Sequence, residues 1–554
     1  MTRGSGVRRW GWVLLAAGCL LPPVQRAHAQ LVPNPGALLP DLVGPVDDRP
    51  HTQPVYDPSL PADTPDAIKA IDMASPVSTL RDALLRAYWM NPQLLAERAS
   101  MRSVDFTLPQ ARAAFGPSIN YSVGLHWEKD RFDTTLGIPL SRSGRTETAS
   151  AILTQPLYTF GRLAAGERSA RAQIAFERDR LRDTEQQVLF NTISAYVGVL
   201  RDRAGLQIAK DNRDILEQEL SDVRARFNVR EATDVDLQQV QSQAAIARAD
   251  VETAQSTLDS SDATFRSVIG SPAGPLDPPN PLILPAAELD SAQAVAEQDN
   301  PVLAAARARE QVSRAAVDSA EAARFPRIDL QGRADFGTVT PYNNSLRQNN
   351  LQGGVVVTGP LFDSGLLGAR QEQAEAANDA DWRLIDKAAR DLRAQVASAW
   401  SARLASGASV GDLSAAVASA QKAYEGSVAQ QKAGFRTTLD VLISARDLLD
   451  VRRSYNTTLA DAYLTQAQLL LALGSLDLAD LLPDERAHDP ARHLEKIDSQ
   501  GELPWTPVLS AIDGLGYPKA NAARPVRDPA LAPAARPAKA SPRQSKNKVA
   551  RIKR

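Results

Sequence analysis

The side chains best able to do chemistry are few and badly spaced for it. His28, His51, His126, His488 and His493 are the five histidines of a 554-residue chain, and nothing around them forms a spaced zinc-ligand set. Cys19 is the single cysteine, so a secreted form would have no disulfide framework. No GxxxxGK[ST] and no GxGxxG after a strand occurs. These absences point away from a soluble metabolic enzyme, and neither catalytic residues, metal nor cofactor is expected. Composition points the same way. Aromatic residues make up only 5% and alanine is abundant, which suits long, closely packed helices better than several bulky cores.

The N-terminus reads as an address. Arg8 and Arg9 precede an apolar run from Trp10 to Leu21, and Ala27-His28-Ala29 places small residues before a cleavage site at Gln30. Residues 1–29 are therefore expected to be a signal peptide. A weaker rival is the lipoprotein-like Ala16-Ala17-Gly18-Cys19, which would leave a lipidated Cys19. No other stretch has the ~20 apolar residues of a spanning helix, so any membrane crossing must use strands. Residues 30–77 are proline-dense and read as an extended, poorly ordered arm. Residues 483–554 read as a disordered basic tail. The chain carries −2 overall, with Lys and Arg gathered from Pro518 to Arg554 against the lone Asp528, so the body between is markedly acidic. A basic tail could bind nucleic acid. The export leader favours a solvated tail and no nucleic-acid partner.

The middle of the chain is a duplication. Asn91-Pro92 recurs as Asn300-Pro301, and Pro117-Ser118-Ile119 as Pro326-Arg327-Ile328, both 209 residues on. Past one loop the offset becomes 204, pairing Pro156-Leu157-Tyr158 with Pro360-Leu361-Phe362, Gly161 with Gly365, Asp236 with Asp440 and Gly270 with Gly474. Chance does not hold a register over such a distance. The repeats are expected at 78–275 and 285–480, joined by the proline-rich Ser271–Pro285, with the change of offset in loops near Lys129–Arg145 and Thr338–Asn350.

Each copy opens with a helical stretch, Thr79–Ala114 or Glu288–Ala323, broken near its Asn-Pro pair. An alternating strand follows. Ile119, Tyr121, Val123, Leu125 and Trp127 share one face, as do Ile328, Leu330, Gly332, Ala334 and Phe336. A second strand carries Ala149, Ala151 and Leu153, or Gly353, Val355 and Val357. By periodicity alone a soluble hairpin and a barrel wall are equally good; export without an apolar helix tips the balance to the barrel. Next come long proline-free runs, Leu163–Asn228 and Leu367–Lys432, which as helices would reach about 100 Å. Leu206, Ala209, Arg213, Leu216, Leu220, Val223 and Phe227 form a coiled-coil stripe on the first. Return helices Asp236–Ile269 and Asp440–Leu473 follow. The opening and return helices together match the long one in length, so two stacked short helices would run beside it. Four strands cannot close a transmembrane barrel, so several chains must each donate theirs.

With these residues in place, the chain resembles the TolC family of outer-membrane efflux and secretion channels over about residues 78–480. The marks are Asn91-Pro92, Gln155-Pro156-Leu157-Tyr158-Thr159-Phe160-Gly161, Ala195-Tyr196, Arg226-Phe227-Asn228-Val229, and the run from Gly434 to Leu442. The resemblance implies a mainly α fold with a small β part. It also implies a homotrimer with a 12-stranded outer-membrane β-barrel, continued by a 12-helix periplasmic α-barrel. Pro156, Gly161, Pro360 and Gly365 would mark the strand-to-helix joints. The implied function is a passive export channel, in type I secretion or efflux, served by a periplasmic adaptor and an inner-membrane ABC or proton-driven transporter. The alternative is a periplasmic coiled-coil adaptor, though adaptors have one hairpin rather than two copies with strand pairs.

The family closes its periplasmic end at the helix-to-helix turns, which assigns the gate to Asp236, Arg436 and Asp440. Arg436 would pair with Asp236, within or between chains, and Asp440 would line an acidic ring. A plainer role is open to both carboxylates, that of capping the return helices. Ile443 stands at a second acidic position, Val235 and Gln431 at latch-partner positions, and Arg230 at the turn glycine, so the latch network departs from the family pattern.

Overall fold

The computed structural model describes residues 74–133, 137 and 139–515. The expected leader, the arm up to residue 73 and the tail beyond 515 lie outside the described residues. The first copy comprises α1 (Leu80–Met90), α2 (Pro92–Asp105), α3 (Thr107–Ala113), β1 (Ser118–Asp133), β2 (Pro139–Tyr158), α4 (Arg162–Asn228) and α5 (Asp234–Ile269). The second repeats it as α6 (Leu289–Asp299), α7 (Pro301–Ala322), β3 (Arg327–Thr340), β4 (Asn343–Thr358), α8 (Leu366–Lys432) and α9 (Thr438–Leu473). Three short helices follow: α10 (Leu478–Leu481), α11 (Ala491–Ile497) and α12 (Thr506–Leu515).

The Asn-Pro pairs are where short helices stack. Proline at the first helical position loses no hydrogen bond there, and the asparagine before it caps the new helix. Asn91 accepts from Gln93 N at 2.9 Å and donates to Val268 O at 3.0 Å, at the end of α5. Asn300 accepts from Val302 N at 3.0 Å and donates to Ala472 O at 3.1 Å, at the end of α9. One side chain thus satisfies orphan groups of two helix ends. The expected stacking follows: α1–α2 with α5 makes one column, α6–α7 with α9 another.

The columns lie side by side, with α4 between the two stacked ones and α8 beyond the second. Alanines allow the close approach: Ala164, Ala165, Ala170, Ala172, Ala195 and Ala209 are all buried on α4. Bulkier packing gathers where columns stack, around Leu84, Trp89 and Leu94 against Leu189, Ile193 and Leu470. The two long helices, each of 67 residues, differ sharply in burial. Twenty-four residues of α4 are buried and eight of α8, because α4 is flanked on both sides and α8 is an edge. The strands repeat this arrangement as one antiparallel sheet in the order β1-β2-β3-β4, its edges at β1 and β4.

Two expectations are corrected. The regions near 129–145 and 338–350, expected as loops, are largely strand: pairing continues to Asp133↔Pro139 and Thr340↔Asn343. Once in register, an antiparallel ladder needs no apolar pattern to continue into water. The stretch 483–515, expected as disordered, instead packs along the first copy. His493 Nδ1 lies 2.7 Å from Asp105 Oδ2, Tyr88 Oη accepts from His488 N, and Arg112 meets Asp498 at 3.0 Å. Two of its prolines mark helix starts rather than disorder, Pro490 preceding α11 and Pro507 standing in the first turn of α12. The last arm residues are also tied down, with Val77 buried and bridged to Ala273.

Candidate functional site

The two long hairpins turn in the same way. After α4, Phe227 O accepts from Arg230 N at 3.0 Å and Arg226 O from Glu231 N at 2.8 Å. After α8, Gln431 O accepts from Gly434 N and Gln430 O from Phe435 N, both at 2.9 Å. Such a paired C-terminal cap needs one left-handed residue. It is Gly434, with φ of 79°, in the second turn and Arg230, with φ of 66°, in the first. A side chain there is strained by about 1 kcal/mol. Arg230→Gly is therefore expected to stabilise the first turn by about that amount, read as slower amide exchange in residues 227–234.

Both return helices begin with a reciprocal capping box. Asp236 N donates to Thr233 Oγ1 at 3.2 Å while Asp236 Oδ2 accepts from Thr233 N at 3.1 Å. Thr437 and Asp440 repeat it at 3.3 and 3.0 Å. The capping role of both carboxylates is thus present. The Thr437 amide and hydroxyl, with a smaller contribution from Arg436, hold the Asp440 carboxyl below the usual range.

Arg436 itself donates to Gln430 Oε1 at 2.8 Å, in its own turn. Among the described residues, no ion pair joins Arg436 and Asp236 within the chain. The tie between hairpins lies one turn inward, where buried Gln431 donates to buried Glu219 Oε1 at 2.7 Å, with Arg226 3.5 Å from the same carboxylate. Leu442 of α9 packs beside it among Leu216, Val223, Leu237 and Val240. Farther along, Arg453 meets Asp250 at 2.8 Å. Glu219 was missed by sequence reasoning. Its only signal there is a carboxylate at 3-residue spacing from the apolar stripe position Leu216.

At the joints, two successive left-handed residues turn strand into helix: Phe160-Gly161 and Ser364-Gly365. Pro156, which has no N–H for the ladder, sits at a register shift in the pairing of β2 with β3. Pro360 follows the end of β4 at Thr358. The two joints cap their long helices differently. In the second, Asp363 accepts from Leu367 N at 2.8 Å and Gly365 N at 3.0 Å, which holds its carboxyl below the usual range. In the first, Thr159 occupies the equivalent position and the carboxylate comes from α12. Asp513 accepts from Thr159 N at 2.6 Å, Thr159 Oγ1 at 3.0 Å and Ala164 N at 3.2 Å.

Across the sheet the alternating residues fall on one common face. Register places Ile119 opposite Leu153, Tyr121 opposite Ala151, Ala151 opposite Ala334, Leu330 opposite Val355 and Ile328 opposite Val357. Ile119, Tyr121, Val123, Leu125, Trp127 and Val357 are all exposed, while polar Asn120, Ser122, Gln331, Arg333 and Asp335 lie on the other face. Side chains this apolar and this exposed fit a lipid-facing wall over a watery lumen. Among the described residues, no helix is long and apolar enough to cross a membrane.

Comparison with known proteins agrees. The outer membrane efflux protein family matches residues 84–271 and 294–475, one match per copy. The chain is 26% identical over 419 residues to the outer membrane efflux protein BepC of Brucella suis, covering 76% of this chain and 90% of that one. It is 26% identical over 437 residues to the outer membrane protein TolC of Vibrio cholerae, covering 76% and 97%. The solved structure of the outer membrane protein VceC from Vibrio cholerae superposes with a TM-score of 0.62 at 17% identity, over 71% of this chain and 96% of that one. Duplicated hairpins, an apolar sheet face and a family match spanning both copies lead to one assignment: this chain belongs to the outer membrane efflux protein family, the TolC-like export channels of the outer membrane.

Proposed function

We propose that three copies of this chain close into one pipe that conducts cargo outward, passively, from an inner-membrane ABC or proton-driven transporter joined through a periplasmic adaptor. One observation carries the reading. Sheet and helix layers each present four elements in a row with unpaired edges, β1 and β4 above, the α1–α2–α5 column and α8 below. An open sheet edge in lipid leaves backbone groups unpaired, so identical neighbours must cover it. Three chains then supply twelve strands and twelve helical columns. The adaptor alternative has no use for an exposed apolar sheet repeated in two copies.

Ring closure would bring the column whose first turn carries Asp236 beside the α8–α9 turn of the next chain. Arg436 then pairs with Asp236 between chains, at about 0–1 kcal/mol per exposed pair, and three Asp440 carboxylates line a narrow ring. A latch of that strength suits a gate opened by a partner. The test of the pipe is an oligomer of about three chains extracted from outer membranes, with steady pores in planar bilayers. A protein that stays a single chain in plain buffer and opens no pore overturns it.

The Asp440 ring has its own signature. Asp440→Asn is expected to relieve pore block by multivalent cations about tenfold or more, since each site loses a full charge. The folded carboxyl is depressed, so in the unchanged protein block persists as pH falls through the ordinary carboxylate range and fades only below it. Block that survives Asp440→Asn places the ring elsewhere.

A further inference from the structure

Helix α12 is amphipathic the wrong way round for a helix in water. Thr506 and Asp513 are buried and Ser510 donates to Glu167 Oε2 at 3.2 Å, so its polar stripe faces the protein. On the opposite side Trp505, Val508, Ile512 and Leu515 follow one another at helical spacing and are 47%, 58%, 43% and 85% exposed. A helix that turns its polar groups inward and its apolar ones outward is matched to an apolar surrounding.

Three observations identify that surrounding. The helix packs on the end of β2 and caps the start of α4, where the chain leaves the apolar sheet, so its exposed stripe lies beside the lipid-facing band. Both β2 and α4 are interior elements of the chain's own wall rather than its edges. The sequence that follows is basic, with Lys519, Arg524, Arg527, Arg536, Lys539 and Arg543 among its cations against the single Asp528.

We propose that α12 lies in the headgroup–acyl boundary of an anionic phospholipid leaflet at the rim of the barrel. Trp505 has the side chain that favours this depth. An apolar face and a polybasic segment together give the stable anchoring that either alone does not. The proposal rests on the barrel reading above.

The test uses the full chain carrying Cys19→Ser and Ile512→Cys, labelled with an environment-sensitive fluorophore and placed in nanodiscs. Ile512 is on the exposed stripe, so the Asp513 cap is untouched. With lipids spin-labelled near the headgroup and about a third phosphatidylglycerol, emission should fall about twofold. Most of that loss should vanish in pure phosphatidylcholine, or when the chain ends at Leu515. Unquenched emission overturns the proposal, whether red-shifted as in water or blue-shifted as under a protein cover. Equal quenching with and without anionic lipid or tail overturns it too, because charge then plays no part. Oligomer mass and conductance are read on the same sample. A pore without quenching removes only the anchor, while a preparation with no pore removes the channel.

Discussion

Asp513→Ala is expected to weaken the assembled protein by about 3 kcal/mol, seen as a clear drop in the temperature at which its oligomer falls apart in detergent. The carboxylate is 2% exposed and takes three donors, Thr159 N, Thr159 Oγ1 and Ala164 N, at the positive end of a 67-residue helix. Alanine leaves those donors buried and unpaired. Asparagine keeps one acceptor and should lose about half as much. The second copy supplies a sharper test, because there the carboxylate is local, on Asp363. Thr159→Asp should therefore rescue Asp513→Ala by copying that joint. In the unchanged background the same substitution sets two carboxylates against each other and should destabilise. If Thr159→Asp has the same sign in both backgrounds, the two groups do not share a role.

Gln431→Ala should open the pore further than Arg436→Ala. Gln431 and Glu219 are both buried and 2.7 Å apart, so deleting the amide strands a carboxylate with only Arg226 at 3.5 Å. Such a loss is worth about 1–3 kcal/mol per site. Three symmetric sites at about 1.5 kcal/mol each would shift a closed-to-open equilibrium about a thousandfold if they act together. Arg436 is exposed at the tip, and the proposed pair with Asp236 would be worth no more than about 1 kcal/mol per site. Single-channel conductance in planar bilayers ranks them. A larger rise for Arg436→Ala would move the latch from the buried tie to the exposed ring.

Much of this arrangement could be read in one dimension, and for a common reason. Strand alternation at Ile119–Trp127, the stripe from Leu206 to Val223, and the Asn-Pro and Thr-x-x-Asp boundaries are all local patterns. Each depends on the period of its own element or on a cap a few residues away. The ends of the long helices, expected at Leu163–Asn228, came within one residue of Arg162–Asn228. Duplication helped, because a feature seen twice in one register is unlikely to be accident.

What escaped sequence reasoning depends on partners distant in the chain. Gln431 stood at a latch-partner position with nothing nearby to say that Glu219, on the other hairpin, would receive its amide. Proline hid α12, since composition cannot tell a first-turn proline from a disordered one. The strand arms beyond the lipid band carry no apolar code at all. By itself the sequence determined a duplicated, helix-rich stave with an apolar strand face, because those properties follow from periodicity within each element. Only the tertiary structure decided that the first joint borrows its cap from Asp513 and that a buried amide ties the hairpins. Both contacts join segments hundreds of residues apart, and only folding brings their charges and donors together.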